Sequence, residues 1–418
     1  MILNRLFKSD FSKDVAVLAS SSFIAQGVNF VFSIFLARLY APDYFGSISV
    51  FLTLVGFIGV VSCGKFDVAI VSAKEDDDVK KLFSLSFYVL LLIVVLCFIA
   101  ICIIYIFDLD FYKGEQVHSW FFFIIPSLIY LTGTQVFWMY NVRIKNFKKI
   151  AFIRIAETLT NGIVSVILFG MAAVGLLLGA LAGQAISFFL LAIIIFKANP
   201  VNTFRFDWNV LKGTLKRYKD FPKINIPQGF LDMFQIGALI LLISKYYGAE
   251  ATGYYSLCLR VLQLPMKLII LPISHVFFAE ASVLNRNGKS IYPFVKKTII
   301  RTTFLLIAIP IILILFGPWI FSFVYSDKWI EAGVFARILS IWIFFDLIKA
   351  PIVQIASILG KQKQLLYFAI LNSILFMLAI IIGYKMGFDV FGTLWLVTAT
   401  QTFNAIIVIL YILKISKT

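Results

Sequence analysis

Two basic side chains fall where a helix would cross lipid. Arg260 and Lys267 lie one heptad apart in the apolar run 253–278, hence on nearly one face of a helix. Counted at 1.5 Å per residue from an outer end near Gly253, Arg260 is about 10 Å deep and Lys267 about 20 Å. Pro265 and Pro272 interrupt the same run, and His275 follows them. An ionised group at bilayer depth costs at least a few kcal/mol, so it usually faces a cavity or a partner and marks function. Broken helices are tolerated at such places, where neighbours or water satisfy the freed carbonyls. Snorkelling to an interface accounts for Arg260 alone, whereas Lys267 is too central for it. A cationic wall inside lipid suits an anionic cargo, with phosphate or pyrophosphate the natural candidate.

A second group lies in the run 334–358. Asp346 and Lys349 are three residues apart, close enough on a helix to neutralise each other, and Pro351 follows directly. Arg337 stands nearer the outer end of that run. Asp232 occupies the inner third of the run 224–246, beside Gln228 and Gln235. A membrane carboxylate such as Asp232 or Asp346 could alternate protonation or Na⁺ binding with transport, or serve only as a packing salt bridge. The sequence leaves both readings open. Glu157 and Glu280 fall near expected inner helix ends, where solvation explains them.

These residues need elements of membrane-spanning length. The chain has 418 residues, is 61% hydrophobic and only 14% charged. A soluble domain is nearer half apolar and a quarter charged, so lipid must be the solvent. A span needs roughly 20 apolar residues. Twelve candidate spans meet that measure, near 15–37, 45–66, 82–107, 119–140, 151–172, 175–197, 224–246, 253–278, 297–323, 334–358, 365–386 and 390–413. With the N-terminus inside, 28 of the 37 Lys and Arg fall in inner segments and 5 in outer loops. That asymmetry places both termini in the cytoplasm and explains the net charge of +16 without nucleic acid. Cys63, Cys97, Cys102 and Cys258 all lie in apolar runs without metal-ligand spacing, and no metal site is expected.

The spans repeat. The stretch RLYAPDYFGSIS, from Arg38 to Ser49, returns 207 residues later as KYYGAEATGYYS, from Lys245 to Ser256. Gly46 thereby pairs with Gly253, and both read as hinges that let a helix restart close to its neighbour. Gly175, Ala182 and Gln184 match Gly392, Ala399 and Gln401 at an offset of 217. Six spans per half imply parallel repeats. The expected domains are 1–220, with six spans and a cytoplasmic linker, and 221–418, with six more. The repeat is unequal in charge: Arg260 corresponds to Thr53 and Lys267 to Val60. The linker FRFDWNVLKGTLKRYKDFPK has the pattern of an amphipathic helix on a basic membrane surface.

Several chemistries lack their motifs. Gly288-Lys289-Ser290 has Val283 where a phosphate-binding loop needs Gly, so ATP hydrolysis is unsupported. Asp108 and Asp110 occupy a short outer loop and read as turn residues. No outer loop exceeds roughly a dozen residues, which leaves no room for an external catalytic domain.

The segments LARLYAPDYFG and GAEATGYYS, with the basic loops NVRIKNFKK and GKQKQ, resemble the polysaccharide-export branch of the multidrug/oligosaccharidyl-lipid/polysaccharide (MOP) exporter superfamily. The nearest type is the O-antigen (Wzx-type) flippase. The resemblance implies an all-α membrane protein, two six-helix lobes in a V around a cationic central cavity, in the bacterial inner membrane. It implies a non-enzyme that turns an undecaprenyl-pyrophosphate-linked oligosaccharide over to the periplasmic leaflet by alternating access. Its partners would be that lipid-linked oligosaccharide, membrane lipids and other polysaccharide-assembly membrane proteins; no cofactor beyond an H⁺ or Na⁺ gradient is expected. Arg260 and Lys267, then Lys349 and Arg337, would bind substrate. A drug/cation antiporter of the related branch is the alternative, and a membrane glycan polymerase or acyltransferase a more distant one. The antiporter would want a carboxylate-dominated cavity, whereas the deep charges here are mostly basic.

Overall fold

The computed structural model describes residues 10–73, 75–107, 120–144, 146–198 and 208–417. Every extended element among them is a helix. Large apolar side chains stand uncovered around the molecule, including Phe304 at 78%, Ile106 at 76% and Tyr367 at 71% exposure. Water does not tolerate such a surface, and lipid does. The protein is a multi-pass membrane protein. Asp108 and Asp110 lie outside the described residues.

The chain forms two compact units, residues 1–40 with 47–236, and residues 41–46 with 237–418. The boundary therefore falls inside a helix, sixteen residues beyond the linker position expected at 220. Residues 41–46 cluster with the second unit because their backbone packs against residues 249–253.

The first unit holds α1 (Asp10–Leu39), α2 (Pro42–Ser62, whose first turn clusters with the second unit), α3 (Phe66–Ser72), α4 (Asp76–Ile106), α5 (Ile124–Arg143), α6 (Phe147–Ile167), α7 (Ala173–Ala198) and α8 (Trp208–Arg217). Pro42 suits the first turn of α2 because its fixed φ is already helical and the missing N–H has no partner there to lose. Gly64 and Lys65 both have positive φ, 56° and 57°, and turn the chain sharply from α2 into the short α3. The core gathers Phe83, Phe137 and Leu82 around the buried faces of α3, α5 and α7. Phe83, Phe87, Phe137 and Phe188 interlock with ring centroids 5.1 to 5.8 Å apart.

The linker helix α8 is present, and it docks on protein. Leu211 and Thr214 are buried, and Arg217 and Tyr218 reach Asp78 at the start of α4 at 2.8 and 2.9 Å. Lipid headgroups are thus not its only support, as the amphipathic pattern alone had implied.

The second unit takes most of α9 (Asp220–Leu262), then α10 (Leu271–Arg286), α11 (Tyr292–Leu306), α12 (Ala308–Tyr325), α13 (Ile330–Ile352), α14 (Ile355–Ile358), α15 (Gln362–Lys385) and α16 (Val390–Ile415). Asp389 caps α16 by accepting from the Gly392 N–H at 2.7 Å. Phe277 and Phe294 stack at 5.0 Å within a core closed by Ile352, Ile355 and Ile412.

By length and apolarity, ten helices among the described residues can cross a membrane, two fewer than the twelve spans expected. Two places make the difference. Helix α1 has 30 residues, of which only Phe23–Leu39 enters this count. The run Gly237–Arg286 counts once, although its 50 residues would extend about 75 Å as one straight helix, more than two hydrocarbon thicknesses. Gly248 breaks it with φ 87° and ψ 178°, a conformation open to glycine. Position 248 is 207 residues after Ala41, where α1 gives way to α2, so both copies of the repeated stretch bend at the same point.

Candidate functional site on the second unit

Helix α9 stops at Leu262 for a local reason. Pro265 has no N–H to give and clashes with the preceding turn, and the chain answers with a π-helical segment, Met266–Ile270, before α10 resumes with Pro272 in its first turn. Lys267 stands exposed on that π turn, its own N–H donating to the Gln263 carbonyl at 3.2 Å. Single π turns cluster at functional positions because the widened turn frees backbone acceptors and re-aims side chains. Arg260, also exposed, closes α9 two residues before its end. Its guanidinium lies 6.0 Å from the ring of Phe45. Phe45 in turn meets the fully buried Trp329 edge-on at 5.0 Å, and Tyr254 meets the same indole at 6.0 Å. The cation therefore rests beside a rigid aromatic group. The heptad spacing assumed one continuous helix; the two cations sit instead on successive pieces joined by a turn.

The other basic candidates differ from this pair. Lys349 forms an ion pair with Asp346 within α13, with 21% and 36% of the two side chains exposed. The pair is largely self-neutralised, so neither member presents a full charge. Arg337 is half-buried, its Nε enclosed and without a hydrogen-bond partner. Nearby, α12 and α13 approach backbone to backbone: a Cβ on Gly317 would stand 2.8 Å from the Gly333 carbonyl oxygen. Asp232 is exposed on α9 and belongs to the first unit.

Gly46 and Gly253, expected as hinges, lie within α2 and α9, past the bends at Ala41 and Gly248, and pack closely together. A Cβ on Gly46 would lie 1.8 Å from the Ala249 oxygen, and a Cβ on Gly253 would lie 1.8 Å from the Pro42 oxygen. Since Pro42 and Ala249 are themselves 207 residues apart, the contact is reciprocal, as at a two-fold axis. Each repeat also ties its own tyrosine. Tyr40 donates to the Ser165 carbonyl at 2.6 Å, and Tyr247 shares a 2.6 Å hydrogen bond with Thr393.

Two acids were underrated by sequence reasoning. Glu157 is midway along α6, not near its end, because the helix starts at Phe147, four residues before the apolar run. Asp67 is buried on α3, where Gln135 Nε2 donates to one carboxylate oxygen at 2.8 Å and the other oxygen has no hydrogen-bond partner. Burial raises its carboxyl above the usual carboxylate range, against the opposing pull of Lys65. The available signal was an acid inside the apolar run Phe66-Asp67-Val68-Ala69-Ile70.

A family model described as polysaccharide biosynthesis protein matches residues 35–334. The chain belongs to this polysaccharide biosynthesis protein family. Arg260 and Lys267 fall inside the matched stretch, while Arg337, Asp346 and Lys349 lie beyond it. No curated protein sequence matches the chain. Among solved structures, the chain is similar to the lipid II flippase MurJ in an inward closed conformation, with 16% identity, TM-score 0.73, and coverage of 96% of this chain and 88% of that one. It is similar to an inward-facing multidrug resistance MATE family transporter of the MOP superfamily, with 13% identity, TM-score 0.69, and coverage of 96% and 98%. A MOP superfamily transporter from Pyrococcus furiosus, for which reverse polarity of the binding pocket is described, gives 14% identity, TM-score 0.60 and coverage of 99% and 98%. At these identities the likeness establishes the fold. This polysaccharide biosynthesis family member has the MOP transporter fold.

Proposed function

We propose that the chain is a flippase that moves an undecaprenyl-pyrophosphate-linked oligosaccharide, an O-antigen or capsule repeat unit, from the cytoplasmic to the periplasmic leaflet of the bacterial inner membrane. The observation that carries this reading is Lys267 exposed on a π-helical break, seven residues after the exposed Arg260, inside the stretch matched by a polysaccharide biosynthesis family. Two cations on successive pieces of one broken helix can recognise a diphosphate through charge-assisted hydrogen bonds. Arg337, with its Nε unpartnered, is the next contributor. Lys349 contributes least while Asp346 holds it.

Alternating access would take its energy from an H⁺ or Na⁺ gradient. Asp346 is engaged by Lys349, which favours Asp232 as the coupling carboxylate. The cytoplasmic position of both termini follows from the Lys and Arg count.

Arg260→Ala and Lys267→Ala, each expressed in a strain lacking the chromosomal copy, are expected to lower surface polysaccharide on the order of tenfold or more, with the protein still reaching the membrane. Normal surface polysaccharide in both strains would overturn the site. Increased drug sensitivity of the deletion strain with unchanged glycan would instead favour the antiporter.

A further inference from the structure

A second cationic feature lies on the outside of the second unit. An open groove of about 440 Å³ is lined by Tyr292, Pro293, Lys296, Lys297, Ile300 and Arg301 on the first turns of α11. Three of these six residues are cations and none is an acid. Lys417, from the end of the chain, places its ammonium 5.1 Å from the Tyr292 ring and adds a fourth charge at the rim.

The same helix face continues as an apolar stripe. Pro293, Lys297, Ile300, Phe304, Ile307 and Ile311 recur at steps of four and three, and all are exposed. The change from charge to hydrocarbon occurs between Arg301 and Phe304. Helices α11 and α12 together run from Tyr292 to Tyr325, 34 residues or about 51 Å. That exceeds the roughly 30 Å of bilayer hydrocarbon by several turns. At the far end, the exposed Trp319 stacks on Phe323 at 5.5 Å, as aromatic side chains do at a membrane interface. Trp319 lies fifteen residues, about 22 Å, past Phe304. The hydrocarbon layer thus spans the stretch from about Phe304 to the aromatic pair, and the basic groove stands in the opposite headgroup layer.

We propose that this face is a binding site for an anionic diacyl phospholipid. The headgroup phosphate sits among Lys296, Lys297 and Arg301, and one acyl chain runs along Ile300, Phe304, Ile307 and Ile311. The distribution fits this ligand because it is itself amphiphilic: phosphate at one end, and an apolar track about as long as an acyl chain at the other. A zwitterionic lipid would bring an ammonium group against three cations. The site is independent of the transport reading, since it uses none of the residues assigned to the cargo.

Native mass spectrometry of the purified full-length protein, offered phosphatidylglycerol and phosphatidylcholine of identical acyl chains, tests this. The wild type is expected to retain phosphatidylglycerol preferentially. Each single substitution among Lys296→Gln, Lys297→Gln and Arg301→Gln is expected to weaken retention about fivefold. The combination is expected to abolish the preference. The charge-conserving set Lys296→Arg, Lys297→Arg and Arg301→Lys should keep it. Equal retention of both lipids by the wild type, or an undiminished preference in the triple Gln variant, would overturn the proposal. Preferential displacement of phosphatidylglycerol by an isoprenyl pyrophosphate would also overturn it, by making the groove a cargo site.

Discussion

Gly46 and Gly253 allow nothing larger than hydrogen on the face they share. Gly46→Ala or Gly253→Ala would push a methyl group to 1.8 Å from a carbonyl oxygen, and helix backbones do not yield as side-chain tips do. Each substitution is expected to destabilise the protein by roughly 3 kcal/mol, seen as a lowered unfolding midpoint in detergent. Because both act on one contact, the double variant should lose less than the two single losses added together. Asp67 makes a different demand. Its folded carboxyl holds a proton more tightly than the unfolded one, so its contribution to stability is most favourable at acid pH and is lost as pH rises out of the carboxylate range. Asp67→Asn keeps an acceptor for Gln135 and removes the charge. Its unfolding midpoint at neutral pH is expected to equal or exceed that of the wild type, with the advantage vanishing at acid pH. A midpoint several degrees lower at neutral pH would contradict this account.

At the scale of elements, the linker helix α8 is held by a short list of polar contacts. Asp78, almost fully buried, accepts from Tyr218 and pairs with Arg217, while a separate set, Arg143 with the Ala73 carbonyl at 2.5 Å and with Asp76, ties the end of α5 to the junction of α3 and α4. Asp78 is the enclosed partner of these α8 contacts, whereas the Asp76 carboxylate, which serves α5, is 92% exposed and screened by water. Asp78→Asn is expected to weaken docking by about 2 kcal/mol. Tryptic cleavage within 208–219 should then accelerate by more than about tenfold, as the undocked helix becomes more populated. The π turn belongs to this scale too. It owes its existence to Pro265, a purely local cause, and it carries the exposed Lys267.

The whole molecule is two versions of one unit with different chemistry. Tyr40 and Tyr247 occupy corresponding places and each is hydrogen-bonded to a later helix of its own unit, and the chain bends at Ala41 and again at Gly248, 207 residues later. Where Arg260 stands in the second copy, Thr53 is buried in the first and bonds to the Ser49 carbonyl at 2.7 Å. Architecture is therefore shared, while Arg260 and Lys267 have no cationic counterpart in the first copy.

Composition and period already determined that the solvent is lipid, that helices cross it, and that the chain is a duplication. Those properties are sums over about twenty residues, or comparisons along the chain, and need no knowledge of which segments touch. The residues Arg260 and Lys267 were legible for the same reason, since a charge in an apolar run is conspicuous by itself. Tertiary structure alone decided how such groups are used. It set Lys267 on a π turn, let Lys349 and Asp346 cancel each other, moved Glu157 to the middle of a helix and enclosed Asp67 against Gln135. Pairing and burial depend on contacts between residues tens to hundreds apart, and a local pattern carries no record of them.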